Sequence, residues 1–160
     1  MKNRKLSAML AGALAAAMLL MGCAAASSQP TASSSETESV EDTAMKMKIE
    51  VNGSLFTATL ADNAAVDALA DWVEEGPVTL ELSDYAGFEK VGPLGRSLPA
   101  SDSQTTTHAG DIVLYQGDQI VLFYGSNSWS YTRLGHIDDL TGWEDALGGG
   151  DVTVTLSLEG

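Results

Sequence analysis

The sequence predicts a mainly β domain with two short helices, closed into a barrel of about eight strands, and three observations carry that expectation. Several short runs alternate apolar and polar residues with period two, whereas helical spacing appears in only two places. Two turn signals, Asn52-Gly53 and Gln116-Gly117-Asp118, each separate a pair of alternating runs. A small β domain must also hide its strand edges, and closing the sheet on itself removes them.

In chain order, Lys46 to Val51 and Leu55 to Leu60 flank Asn52-Gly53, which takes positive φ cheaply and makes a hairpin. Asp62 or Asn63 then caps a helix whose apolar face is Ala65, Val66, Leu69, Ala70 and Val73, ended by Gly76-Pro77. Val78 to Leu82 reads as a strand. From Ser83 to Gly110 the pattern is irregular and includes Pro93 and Pro99, so a long loop is expected. Asp111 to Tyr115 and Gln119 to Tyr124 pair across the second turn, and Trp129 to Leu134 alternates again. Thr141 to Leu147 is a short helix stopped by three glycines, and Val152 to Leu158 is the last strand.

Ahead of this domain, assigned to residues 45–160, lie two segments of different character. Residues 1–22 combine a basic start, Met1 to Lys5, with an alanine-rich apolar run from Leu6 to Met21 that closes on Leu20-Met21-Gly22-Cys23. Such a run, 16 residues long, is shorter than the roughly 20 a permanent spanning helix needs, and it has the form of a cleaved export signal. The ending is similar to a bacterial lipobox, which implies lipid on Cys23, the chain's one cysteine, and a protein anchored outside the cytoplasm on the cell membrane. Residues 23–44 follow as the lipidated cysteine and a Ser/Thr/Glu-rich tether with no aromatic residue, too polar to offset the entropy of ordering.

Charge excludes further classes. The chain holds 22 acidic and 8 basic side chains, a net charge of −14, so it offers nucleic acid no basic footprint. One cysteine permits no internal disulfide, and His108 and His136 stand too far apart in sequence for a zinc ligand set. The glycines 87, 92 and 95 lack the Gly-Lys-Ser/Thr ending of a phosphate loop, and no Gly-x-Ser-x-Gly marks a hydrolase. Asp138, Asp139, Glu144 and Asp145 do not follow calcium-loop spacing, and capping of the last helix by Asp138 or Thr141 accounts for them. No metal, cofactor or catalytic residue is assigned, and a monomer is expected.

Three stretches carry a family resemblance: Leu82 to Leu94 (LSDYAGFEKVGPL), Gly110 to Gly117 (GDIVLYQG) and Ile120 to Ile137 (IVLFYGSNSWSYTRLGHI). On these the chain resembles the bacterial cyclophilin-like domain family over roughly Lys46 to Leu158, which implies a cyclophilin-like barrel. True cyclophilins bind a proline-containing peptide in a shallow apolar pocket, where an arginine polarises the proline amide beside a Phe-x-x-Gln turn. Here Leu82-Ser83-Asp84 stand at the matching strand end, Gly87-Phe88 match the Gly-Phe pair, and Val91 occupies the glutamine's place. Without the cation, nothing at that strand end stabilises the twisted amide whose barrier is ~20 kcal/mol.

Six residues are candidates for binding. Trp129, Tyr131 and Arg133 alternate along one strand and project from one face, a combination suited to stacking a ring or holding a carboxylate. Tyr85, Phe88 and Arg96 lie on the long segment before the central hairpin, as a groove wall or as a cover whose Glu89, Lys90 and Arg96 are merely solvated. Arg133 also has a plain structural alternative, pairing with an acid such as Glu89. The expected role is binding a small molecule or a peptide segment. A divergent peptidyl-prolyl isomerase and a module docking on a partner, such as a redox protein, are the alternatives. A cleft between the two groups favours a ligand, and a flat aromatic patch favours a partner.

The leader makes a prediction of its own. Cys23→Ser is expected to abolish both processing at that position and incorporation of labelled fatty acid in cells. Recovery of the parent protein wholly in the medium, without label, would refute lipidation.

Overall fold

The computed structural model describes residues 44–159, so the leader, Cys23 and nearly all of the tether lie outside the described residues. Nine strands and two helices follow one another: β1 (Lys46–Val51), β2 (Ser54–Leu60), α1 (Ala64–Glu74), β3 (Val78–Tyr85), β4 (Glu89–Pro93), β5 (Ser103–Thr106), β6 (Asp111–Tyr115), β7 (Gln119–Phe123), β8 (Ser128–Ile137), α2 (Trp143–Leu147) and β9 (Val152–Leu158). The spatial order is β2-β1-β9-β3-β4-β7-β6-β8, and β8 pairs back onto β2, so eight antiparallel strands form the expected closed barrel. β5 is a ninth strand, added to the first half of β8.

The turns match their sequence signals: Asn52 and Gly53 have φ of 49° and 86°, and Gln116 and Gly117 have 53° and 79°. Asn63 caps α1, its Oδ1 accepting from the backbone N–H groups of Ala65 and Val66 at 3.0 and 3.1 Å, while its Nδ2 donates to the Arg133 carbonyl on β8 at 2.8 Å. The start of α2 differs from expectation. Gly142 is its N-cap and supplies no side chain; Asp138 instead accepts from Lys46 and Thr59. Asp139 accepts from the Thr141 N–H one turn earlier.

The segment 83–110 is not one long loop. β3 runs on to Tyr85 and turns through Ala86 and Gly87, with φ of 54° and 75°, into β4, and β5 lies further along. An alanine in the left-handed region costs roughly 1–2 kcal/mol and gives no turn signal of the Asn-Gly kind. β4 reads Glu-Lys-Val-Gly-Pro and β5 reads Ser-Gln-Thr-Thr, compositions that mark no buried strand. Pairing partners decide both: β4 lies between β3 and β7, and β5 rides on β8.

The wall made by β4, β7, β6 and β8 is buried on both faces. Ile112, Leu114, Ile120, Leu122 and Leu134 point into the barrel with Leu82, Ile49 and Leu156. Val113, Val121, Phe123 and Tyr131 form a second cluster on the outer face, covered by Phe88, Val91 and Tyr115. Within the barrel's own cluster, Trp143 of α2 packs edge-on against Phe56 at 4.9 Å and donates its indole N–H to the Phe123 carbonyl at 2.8 Å.

Closure rests on three residue pairs, Ala58–Ile137, Thr59–His136 and Leu60–Gly135. A Cβ on Gly135 would stand 2.6 Å from the Thr59 carbonyl oxygen and 3.2 Å from the Leu60 Cα, backbone atoms that cannot step aside. Gly135→Ala is therefore expected to cost about 2–3 kcal/mol by thermal or urea unfolding. Gly149→Ala, where nothing lies within 4 Å, is expected to change stability by less than about 0.5 kcal/mol. Equal stability of the two variants would contradict this account of the seam.

Candidate functional site

A cavity of about 420 Å³ opens on the outer face of that wall, between the β3–β4 hairpin and β8. Val91 and Val121, paired across β4 and β7, give it an apolar surface. Tyr85, Tyr115, Trp129 and Tyr131 supply four aromatic rings around it. Trp129 and Tyr85 are more than half exposed and form a rim, whereas Tyr131 is 4 % exposed and belongs to the floor.

The rings hold one another. Tyr131 meets Tyr115 edge-on at 6.0 Å and Phe123 at 5.8 Å, and Asn127 Nδ2 donates to the Tyr131 hydroxyl at 3.0 Å. Asn127 is fixed in turn by buried Thr107: its backbone N–H donates to Thr107 Oγ1, and its carbonyl accepts from the Thr107 hydroxyl and N–H. The hairpin turn is docked the same way, since the Phe88 carbonyl accepts from the Tyr124 and Gly125 N–H groups at 3.0 and 2.9 Å.

Glu89, the first residue of β4, also lines the cavity and is 6 % exposed. Its Oε2 is sealed from solvent and has no hydrogen-bond partner. Burial pushes its carboxyl up to about 7. Tyr131 is raised too, first by burial and then by the Glu89 charge. The next residue, Lys90, projects from the opposite face of the strand and is wholly buried, but it is satisfied. Its ammonium donates to Asp84 at 2.8 Å and to the Gly150 carbonyl at 2.7 Å, and lies 5.3 Å from the centre of the Tyr124 ring. Lys90 and the Tyr124 hydroxyl together hold the Asp84 carboxyl below its usual range, and burial ahead of Asp84 pushes Tyr124 up to about 12. Glu89 and Lys90 are thus not solvated groups on a cover.

Of the six sequence candidates, Tyr85, Trp129 and Tyr131 line this cavity. Phe88 stands behind it, edge-on to Tyr85 at 6.1 Å and stacked on Phe123 at 6.4 Å. The two arginines lie elsewhere. Arg96 stacks its guanidinium on the Trp72 ring of α1 at 4.3 Å. Arg133 shares β8 with Tyr131 but sits two residues further on, where buried Asp111 accepts from its Nη1 at 2.9 Å; it does not pair with Glu89. Asp111 also accepts the His108 backbone N–H and lies 3.1 Å from His136 Nδ1, so a buried carboxylate that needs partners draws the arginine to it. Sequence reasoning did not single out Tyr115, Gln119 or Asn127. Tyr115 and Gln119 pair at the ends of β6 and β7, Asn127 immediately precedes β8, and the placement of β4 beside β7 completes the cavity that they line. Among the described residues, no group of three or more His, Cys, Asp or Glu side chains is placed to hold a metal, and no helix is long and apolar enough to cross a membrane.

Both a family model and solved structures match the chain. The model of the cyclophilin-like family matches residues 49–157. The solution structure of the hypothetical protein AF2241 from Archaeoglobus fulgidus is similar in fold with a TM-score of 0.51 at 16 % identity, covering 72 % of this chain and 95 % of that one. No curated protein matches the chain.

The buried carboxyl predicts a pH dependence of stability. Its value is about 7 folded against 4.5 for the free side chain, so the native state keeps a proton that the unfolded chain releases. Its ionisation costs nothing below about pH 4.5, and the cost grows as pH rises until it is complete above about 7. Tyr85, Tyr115 and Tyr131 are the other titratable side chains that line the cavity, and burial raises Tyr131 further from this range. The stability of Glu89→Gln relative to the parent is expected to rise across this window by roughly 1–3 kcal/mol. A difference that stays constant from pH 4.5 to 8 would mean that Glu89 is solvated.

Proposed function

The chain belongs to the cyclophilin-like family, and from that premise we propose that it is an extracytoplasmic binding module, tethered to the bacterial cell membrane by lipid on Cys23, that takes a small molecule or a peptide segment into the outer-face cavity. The observation that carries this reading is the cavity itself: four aromatic rings around an unpartnered buried carboxyl. An interior that served stability alone would not keep an unsatisfied carboxyl, because that group costs free energy in the ligand-free protein. About 420 Å³ falls within the range of small-molecule sites, and a concave site suits a ligand better than the flat face of a docking partner.

A binding role without catalysis is favoured over proline isomerisation by the charge of the lining. No cationic side chain is among the lining residues, and Glu89, once ionised, repels the amide carbonyl that a cation would polarise. Ser83 and Asp84 stand at the strand end where the resemblance calls for that cation, and Asp84 is committed to Lys90 and Tyr124.

Native mass spectrometry of the purified full chain is expected to detect a co-purifying small molecule or peptide that is lost from Tyr131→Ala. In a protease-coupled assay on Ala-Pro peptides, the rate is expected to match the uncatalysed one. Acceleration abolished by Arg133→Ala or Arg96→Ala would overturn the non-catalytic reading.

A further inference from the structure

The cavity's lining specifies the charge of what fits it. Anion recognition would need a cation, and both nearby candidates are engaged: Arg133 with Asp111, and Lys90 with Asp84 and the Gly150 carbonyl on the opposite face of β4. What lines the cavity is the reverse, a carboxyl that has one oxygen without a hydrogen-bond partner, and four aromatic rings, whose faces are electron-rich. Gln119 and Asn127 add neutral amides, and Asn127 already spends a donor on the Tyr131 hydroxyl.

Resting on the reading of this cavity as a ligand site, we propose that its ligand is a small organic amine bound in its protonated form, with the ammonium N–H donating to Glu89 and its alkyl substituents packed against Tyr85, Tyr115, Trp129 and Tyr131. Several features meet in this assignment. A buried carboxyl without a partner is stabilised most by a charge-assisted hydrogen bond, which a quaternary ammonium cannot donate. Aromatic rings attract a cation within about 6 Å of their centres, most strongly when water is excluded, as it is on the floor formed by Tyr131. Glu89 lines the cavity and keeps 6 % exposure, so the oxygen that is not sealed is the one that accepts from the ligand. The rim rings Tyr85 and Trp129 are exposed at the mouth, where the alkyl groups would lie. A net charge of −14 adds a long-range attraction for cations. The carboxyl's elevated proton affinity fits the same picture, since a bound cation supplies the partner that the proton otherwise replaces.

Three probes of nearly one shape isolate the two parts of the claim: 2-(dimethylamino)ethanol, which is a cation with an N–H at pH 7; choline, a cation without one; and 3,3-dimethylbutan-1-ol, which is neutral. Calorimetric titration of the full chain is expected to give saturable binding of the first, at least tenfold tighter than the second and third. Glu89→Gln, close to the parent in shape, should weaken the amine at least tenfold and leave the neutral alcohol unchanged. Trp129→Ala should weaken both cations more than the alcohol. If the alcohol binds as tightly as the amine, the cavity remains a ligand site but the charge assignment is wrong. If none of the three binds, the amine assignment fails, while the ligand-site reading is judged separately by what native mass spectrometry finds on the parent and not on Tyr131→Ala.

Discussion

Everything about the site follows from one wall of the barrel being buried on both faces. β6 and β7 present Ile112, Leu114, Ile120 and Leu122 to the interior and Val113, Val121 and Phe123 to the outside, so their outer face must find cover of its own. An ordinary antiparallel barrel strand has one wet face. Here the cover is the β3–β4 turn with Phe88 and Val91, the ring of Tyr115, and the first half of β8 with Tyr131. Stacking of Phe88 on Phe123 and the two N–H groups given to the Phe88 carbonyl hold that cover down at one end. It does not reach across, and the uncovered part is the cavity.

The same constraint explains why two adjacent charged residues meet opposite fates. Strand alternation sends Glu89 and Lys90 to the two faces of β4, and both faces are dry, so each charge is desolvated. Lys90 is met by Asp84, the next residue but one beyond Leu82 on β3, and by the Gly150 carbonyl that precedes β9; the chain thus compensates it from β3 and from the approach to β9. Glu89 shares its cavity with aromatic rings and a valine surface, and no donor is aimed at Oε2. A compensated charge and an uncompensated one side by side point to different roles, the first in holding β3, β4 and the approach to β9 together, the second in waiting for a partner from outside.

The arginines show how a plausible site residue is diverted. Arg133 occupies the strand position beyond Tyr131 that would complete an aromatic and cationic face, yet a register shift between β6 and β8 lies beside it and buried Asp111 accepts from it. Arg96 follows Pro93 and Gly95 out of β4 and stacks on Trp72, fastening the segment after β4 to α1. With both cations committed to structure, the cavity is left acidic in a domain already rich in acids, which inverts the polarity that the strand pattern alone suggests.

Local signals determined a good part of this molecule. Period-two alternation, the Asn52-Gly53 and Gln116-Gly117 turns, the Asn63 cap and the glycine run after Leu147 mark most of the elements, because each records an interaction made within a few residues. Tyr85, Trp129 and Tyr131 could be singled out because aromatic residues on a strand face or in a long connection carry their chemistry openly. What tertiary structure decided is everything that depends on residues distant in sequence. β4 and β5 are strands only because β3, β7 and β8 offer them backbone partners, and their own side chains argue against it. Glu89 reads as a solvated loop acid until that pairing turns it against Val121 and Tyr131, and Arg133 reads as a free cation until Asp111, 22 residues earlier, lies within 2.9 Å. Desolvation and ion pairing are set by what a fold brings within a few ångströms, and the identity of a residue does not contain its neighbours.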